Sequence, residues 1–173
     1  MTSAAVAASL ESPHAVEHED VAARCAVTTL ITASTATDVV HLARRIHAAS
    51  SRAACSFVHA SAAALPVEPR ALSEACAGLI EAAAGGTLLL TAVEEMPAIA
   101  QDRFIETLAE LQSIREPSVA VRLMAGTTVS LHGRIADGAF SERLFYRLNI
   151  IHVLKGVATR SNSVHEQRVA VVP

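Results

Sequence analysis

The chain has 173 residues, 18.1 kDa, of which 51% are hydrophobic and 18% charged, with a formal net charge of -3. That is room for one globular domain with a core of its own and excludes two large ones. The acidic balance and pI of about 6.2, with Lys155 as the only lysine, argue against direct DNA binding through a broad basic face. Much of the hydrophobicity comes from 35 alanines, and no uninterrupted apolar run approaches the ~20 residues of a membrane-spanning helix, so no membrane association is expected.

Residues 1–24 are rich in Ala and carry the acidic stretch His14-Ala15-Val16-Glu17-His18-Glu19-Asp20. They read as an N-terminal tail leading into a short helix, with no demand for a core. No Lys or Arg precedes the apolar start, so a basic secretory leader is not indicated and a cytoplasmic location is expected. His14 and His18 stand at i, i+4 beside Glu17 and Asp20, but without a closed coordination shell a solvated tail is the better reading. Cys25, Cys55 and Cys76 are odd in number and form no CxxC, which predicts buried thiols rather than disulfides or a zinc site.

From Cys25 to Thr32 the β-branched run predicts a buried strand, followed by a Ser/Thr cluster and apolar residues at helical spacing through Val40, Leu42, Ala43 and Ile46. A short strand near Ser56–Ala60 and a helix near Arg70–Ala83 come next. The Gly85-Gly86 turn then leads into the strand Thr87–Thr91. A helix over Ile99–Ile114 is marked by Phe104, Ile105, Leu108 and Leu111 on one face. The apolar run Val119–Ala125 and a last strand over Asn149–Leu154 complete the alternation. Short strands alternating with helices indicate βαβ units, hence an α/β, three-layer αβα fold with a mostly parallel sheet of five strands. His41, His47, His59 and His152 fall among apolar positions, where packed or surface histidines are commoner than ligands. No Gly-x-Ser-x-Gly elbow is present.

The word order carries more than the periodicity. Leu30-Ile31-Thr32, Leu42-Ala43-Arg44-Arg45-Ile46-His47, Ala62-Ala63-Ala64-Leu65-Pro66, Gly78-Leu79-Ile80-Glu81-Ala82-Ala83-Ala84-Gly85-Gly86-Thr87-Leu88-Leu89-Leu90, Glu95-Met96-Pro97 and Phe140 to Asn149 follow one another in this order. Together they resemble the sigma-54 interaction domain of bacterial enhancer-binding regulators, an AAA+ ATPase, over roughly residues 25–155. The resemblance implies a P-loop NTPase-like core and divides the chain into 1–24, a tail; 25–155, the α/β domain; and 156–173, a C-terminal tail, with no helical lid.

The departures from that family concern its chemistry. Its phosphate loop reads Gly-Glu-Ser-Gly-Thr-Gly-Lys-Glu, whose glycines admit phosphate to backbone N–H groups and whose lysine neutralises it. Here the same positions are Ala33, Ser34, Thr35, Ala36, Thr37, Asp38, Val39 and Val40, with Val39 in place of the lysine. These positions are predicted not to bind nucleotide, and the loop reads instead as a turn in which Thr35 or Thr37 caps the next helix and Asp38 favours its first turn. The family's strand-end Asp-Glu is Thr91-Ala92; Glu94 and Glu95 lie beyond the strand end, and the resemblance matches Glu95 to a position without a catalytic role; its polar sensor is matched by Thr128, and Ser141 stands for one of its arginines. Only Val67 to Ala77 separate Pro66 from Gly78, which leaves no room for the sigma-contacting Gly-Ala-Phe-Thr-Gly-Ala segment, so no direct sigma-54 contact is expected.

The resemblance therefore implies a catalytically dead AAA+ module acting through protein–protein interaction in transcriptional control, with an enhancer-binding AAA+ regulator as partner. Phe145, Tyr146 and Arg147 are the interaction residues near a subunit boundary. No cofactor is expected. The alternative is a domain that retains weak ATP or ADP binding with Mg²⁺, through Thr37, Thr128 and Arg147.

Overall fold

The computed structural model describes residues 13–114, 116 and 118–155. Residues 1–12, the expected C-terminal tail 156–173, and the side chains of His14, Glu17 and His18 lie outside what is described. Five strands, β1 (Thr29–Ala33), β2 (Phe57–Ser61), β3 (Thr87–Thr91), β4 (Arg122–Thr127) and β5 (Ile151–Lys155), alternate with helices. These are α1 (Pro13–Arg24), α2 (Ala36–Ala48), α3 (Pro69–Ala82), α4 (Ala98–Ser113), α5 (Leu131–Ala136) and α6 (Glu142–Leu148). All four strand pairings are parallel and the order across the sheet is β2-β3-β4-β1-β5.

The strands alternate their side chains between two cores, as the period of two requires. Leu30, Leu88, Leu90, Leu123 and Ala125 join the side chains of α3, α4 and α6 on one face. Ile31, Leu89, Met124 and Val153 meet α1 and α2 on the other. Helices thus cover both faces of a parallel sheet whose central strands are buried throughout, which is the three-layer α/β sandwich that the sequence predicts.

Two boundaries and one domain division differ from the sequence expectation. The apolar run Val119–Ala125 is not itself the strand. β4 starts at Arg122, opposite Thr87, and runs on through Gly126 and Thr127, because those two residues pair with Ile31 and Thr32 of β1. β1 likewise begins only at Thr29, where pairing to Met124 and Ile151 starts. The N-terminal stretch read as a tail needing no core supplies α1, whose Ala22 and Ala23 are buried in the same cluster as Ile31 and Val153. The contact is hidden in the sequence because the residues that make it are alanines, which bury little area but permit close approach. Of the three thiols only Cys76 is buried; Cys25 is half-buried and Cys55 exposed.

The opening of β4 holds a buried cation. Arg122, 1% exposed, donates from Nη2 to the carbonyl of Ala22 near the end of α1, while its Nε and Nη1 have no hydrogen-bond partner among the described residues. Burial, followed by the Arg52 guanidinium, pushes its pKa down to about 10, so it stays charged at neutral pH. Arg52 in turn donates to the carbonyls of Gly85 at 2.7 Å and Ala120 at 2.5 Å, closing the turn before β3 against the segment before β4.

Beside Arg122, the buried His47 places Nδ1 2.9 Å from the Thr87 hydroxyl and sets its ring edge-on to Phe57. Burial, and then the Arg122 charge, holds the His47 pKa below its usual 6.5. The unfolded chain therefore binds a proton here more readily than the folded one. Stability from this group is complete above the unfolded value of 6.5 and is lost as pH falls from there through the depressed folded pKa. Denaturant midpoints measured at pH 7.5 and pH 5 are expected to fall in the native sequence and to fall less in His47→Gln. An equal fall in both would assign the acid sensitivity to other groups.

Candidate functional site

Topology locates the site before any side chain does. The connection after β1 goes to one face of the sheet through α2, whereas that after its neighbour β4 goes to the other through α5 and α6. The crevice at the carboxyl ends of β1 and β4 is therefore the switch point where open α/β sheets bind ligands. The phosphate-loop-like positions, Thr91, Ala92 and Thr128 all belong to the strand ends or connections on this edge.

Only Ser34 and Thr35 separate β1 from α2. Thr35 is the helix N-cap, in extended conformation, and its Oγ1 accepts from the Asp38 N–H at 3.1 Å while donating to Asp38 Oδ2 at 2.7 Å. This reciprocal arrangement satisfies a free donor of the first turn and places a carboxylate where the helix dipole favours one. The sequence expected Thr35 or Thr37 as cap; the structure selects Thr35. Ser34 to Thr37 are exposed and Asp38 and Val40 half-buried.

Val39, aligned by the family resemblance with the phosphate-loop lysine, is 1% exposed and belongs to the core between α2 and the sheet. Its partner is Gly126 on β4. A Cβ built on Gly126 would stand 2.3 Å from Val39 Cγ1 and 3.5 Å from Thr91 Cγ2, so the bare glycine is what lets the valine sit down on the strand. The side chain at position 39 faces the interior, not the crevice.

Lys155 completes the loop's electrostatics. The register of β5 on β1 sets Lys155 opposite Ala33, and its Nζ lies 3.5 Å from Asp38 Oδ1. The Thr35 hydroxyl, then the Lys155 charge, holds the Asp38 carboxyl below its usual range, with slight burial opposing. The chain's single lysine is thus engaged by an acidic residue in the turn.

On β3, Thr91 is buried, donates to the Ala60 carbonyl at 3.3 Å and lies 3.0 Å from His59 Nε2. Ala92 has φ 54°, the left-handed region that a residue with a Cβ enters at a cost of roughly 1–2 kcal/mol. The turn it begins carries Glu94 inward. Glu94, 8% exposed, accepts at Oε1 from both the N–H and the hydroxyl of Thr128, at 3.1 and 3.0 Å, and among the described residues its Oε2 has no hydrogen-bond partner. The donors of Thr128 that a sensor would offer to a ligand are therefore directed at a neighbouring carboxylate.

Sequence reasoning passed over both closing contacts. Glu94 stands beyond the strand end, and Lys155 is remote in sequence from Asp38; only the strand order makes either neighbourhood visible. Of the expected interaction residues, Tyr146 is exposed and Arg147 half-buried, but Phe145 is not a surface residue. It packs against His132 at 4.7 Å between ring centroids and joins Leu144 and Leu148 in the core, because that side of α6 faces α4. Among the described residues no three His, Cys, Asp or Glu side chains gather as a metal site.

Comparison with known proteins agrees with this geometry. The family described as Sigma-54 interaction domain matches residues 6–154. Regulatory protein AtoC of Escherichia coli strain K12 is 35% identical over 143 residues, covering 72% of this chain and 31% of that protein. The DNA-binding transcriptional regulator NtrC of the same strain is 33% identical over 148 residues, covering 75% and 32%. A crystal structure of NtrX from Brucella abortus in complex with ATP superposes with a TM-score of 0.71 and 30% identity, covering 88% of this chain and 38% of that one. The chain spans about a third of the length of these relatives.

Val39→Lys puts an ammonium into the α2–sheet core without a partner, at a cost of about 3–5 kcal/mol. Thermal melting is expected to show that loss with no gain of ATP hydrolysis. A variant as stable as the parent that hydrolyses ATP would mean that position 39 opens on the crevice after all.

Proposed function

The chain belongs to the Sigma-54 interaction domain family of AAA+ transcriptional regulators, and from that premise we propose that it is a catalytically inactive member that works by binding another protein. The observation that carries the reading is the burial of Val39 on Gly126, which fills with hydrocarbon the position of the family's phosphate-loop lysine. Phosphoryl transfer depends on positioned charge: a cation on the phosphates, a metal-holding carboxylate and a residue orienting water. By the family resemblance Val39 stands where that cation would be and Thr91 and Ala92 where the carboxylates would be, while the lysine at this edge, Lys155, is engaged by Asp38. Glu94 gives Oε1 to the N–H and hydroxyl of Thr128, so one of its two carboxylate oxygens is committed within the protein.

The function left to the scaffold is recognition. The partner that fits best is a regulator of the same family that keeps its nucleotide site, docked through the face that carries α6, with transcriptional control as the process. Neither sigma-54 nor DNA is contacted directly in this reading. α3 follows β2 after a single 3₁₀ turn and the short segment to Glu68, which leaves no extended loop on that connection. No helix among the described residues is long and apolar enough to cross a membrane.

The relative crystallised with ATP favours a second reading, weak nucleotide binding by backbone contacts. The two-residue turn after β1 weighs against it, because it offers few amides to a phosphate.

Mixing the purified domain with an active sigma-54-dependent regulator tests the interaction. The two are expected to co-elute on gel filtration, and the regulator's ATPase rate is expected to change with the amount of domain added. Separate elution with an unchanged rate would refute the proposal.

A further inference from the structure

Three helical arginines are held by carboxylates: Arg45 meets Glu19 at 2.9 Å, Arg70 meets Glu74 at 3.0 Å, and Arg103 meets Glu106. α6 carries two that are not. Arg143 and Arg147 stand at i, i+4 on this helix, an arrangement that brings like charges together and weakens a helix, and among the described residues neither forms an ion pair.

Tyr146, three residues from Arg143 and therefore on the same side of the helix, is 67% exposed, and Ile150 just beyond the helix is 51% exposed. The opposite side is fixed: Leu144, Phe145 and Leu148 are buried against α4 and α5. The outward side of α6 thus joins two cations, an aromatic ring and an aliphatic side chain on a rigid base. Arg and Tyr are the residues that dominate protein interfaces, Arg because its planar fork pairs with carboxylates two bonds at a time.

We propose that the outward face of α6, formed by Arg143, Tyr146, Arg147 and Ile150, is a docking surface for an acidic, partly apolar segment of a partner protein, whose carboxylates pair with the two guanidinium groups. Charge complementarity decides the occupant. A like-charge pair left bare is a local cost that a partner's carboxylates convert into attraction, and the flanking Tyr146 and Ile150 require apolar surface beside those carboxylates. The inference rests on the reading of the chain as an interaction module and adds the face used and the chemistry that it takes.

The test uses the whole domain and a defined probe, an amphipathic peptide of Glu, Leu and Tyr, with the same peptide carrying Lys for Glu as control. In amide-resolved NMR at low salt the acidic peptide is expected to shift signals of residues 142–150, the Lys peptide to leave them in place, and added salt to weaken the effect. Arg143→Glu with Arg147→Glu is expected to lower the affinity about tenfold or more, the scale of losing charge pairs at an interface. Arg143→Asp, a single exposed change, serves as a second variant, and both are checked for native melting. Shifts confined to other parts of the domain, equal binding by the charge-reversed variants, or a response of α6 to Mg·ATP in place of the peptide would overturn the proposal. Peptide binding at α6 together with failure to engage the active regulator would uphold this surface and refute the regulator as partner, so the two claims are separable.

Discussion

The side chain of Val39 rests on the bare backbone of Gly126, and much of the arrangement around the candidate site follows from that contact. With no Cβ on β4 at this point, α2 lies close on the sheet, its first turn starts two residues after β1, and Thr35 and Asp38 close the turn with each other. The same seating brings Asp38 near the end of β5, where Lys155 waits in register with Ala33. An anion-binding loop needs its backbone amides unspent and its cation outward. Here the cap, the ion pair and the apolar anchor each use up part of that capacity.

Scaffold and chemistry separate cleanly in this chain. The sheet depends on alternation between two apolar cores, Leu88 and Leu90 to one face and Leu89 to the other, and that pattern tolerates any set of polar residues at the strand ends. The strand ends are where the relatives' function would reside, and where this chain has threonine, alanine and a buried glutamate turned toward Thr128. Fold and site draw on different residues, so the strand ends can change while the sheet and its two cores are kept. The left-handed Ala92 and the Oε2 of Glu94, which has no hydrogen-bond partner among the described residues, mark where strain and unsatisfied polarity remain at that edge.

The sequence made legible whatever depends on local pattern. The strand Thr87–Thr91 is found where its apolar run and the preceding Gly85-Gly86 place it, and α3 and α4 lie within a residue of their periodic spans. A threonine cap for α2 was readable from residue type, with Thr35 and Thr37 both fitting, and the structure selects Thr35. What depends on partners distant in the chain was not legible. The limits of β4 are set by pairing with β1 and β3, so an apolar run alone misplaces them. The docking of α1 was hidden because its buried residues are alanines, and the burial of Phe145 was hidden because a motif does not say which side of a helix faces α4. Lys155–Asp38 and Glu94–Thr128 join segments far apart in the chain, and no spacing rule reaches across that gap.

The central claim is that the crevice at the ends of β1 and β4 no longer holds nucleotide. Isothermal titration calorimetry of the folded domain with Mg·ATP and Mg·ADP, at concentrations able to detect dissociation constants up to about 1 mM, measures this directly. No saturable heat with either nucleotide is the predicted result. Saturable binding, abolished by substitution of Thr37 or Thr128, would contradict it and show that the shortened turn still receives phosphate.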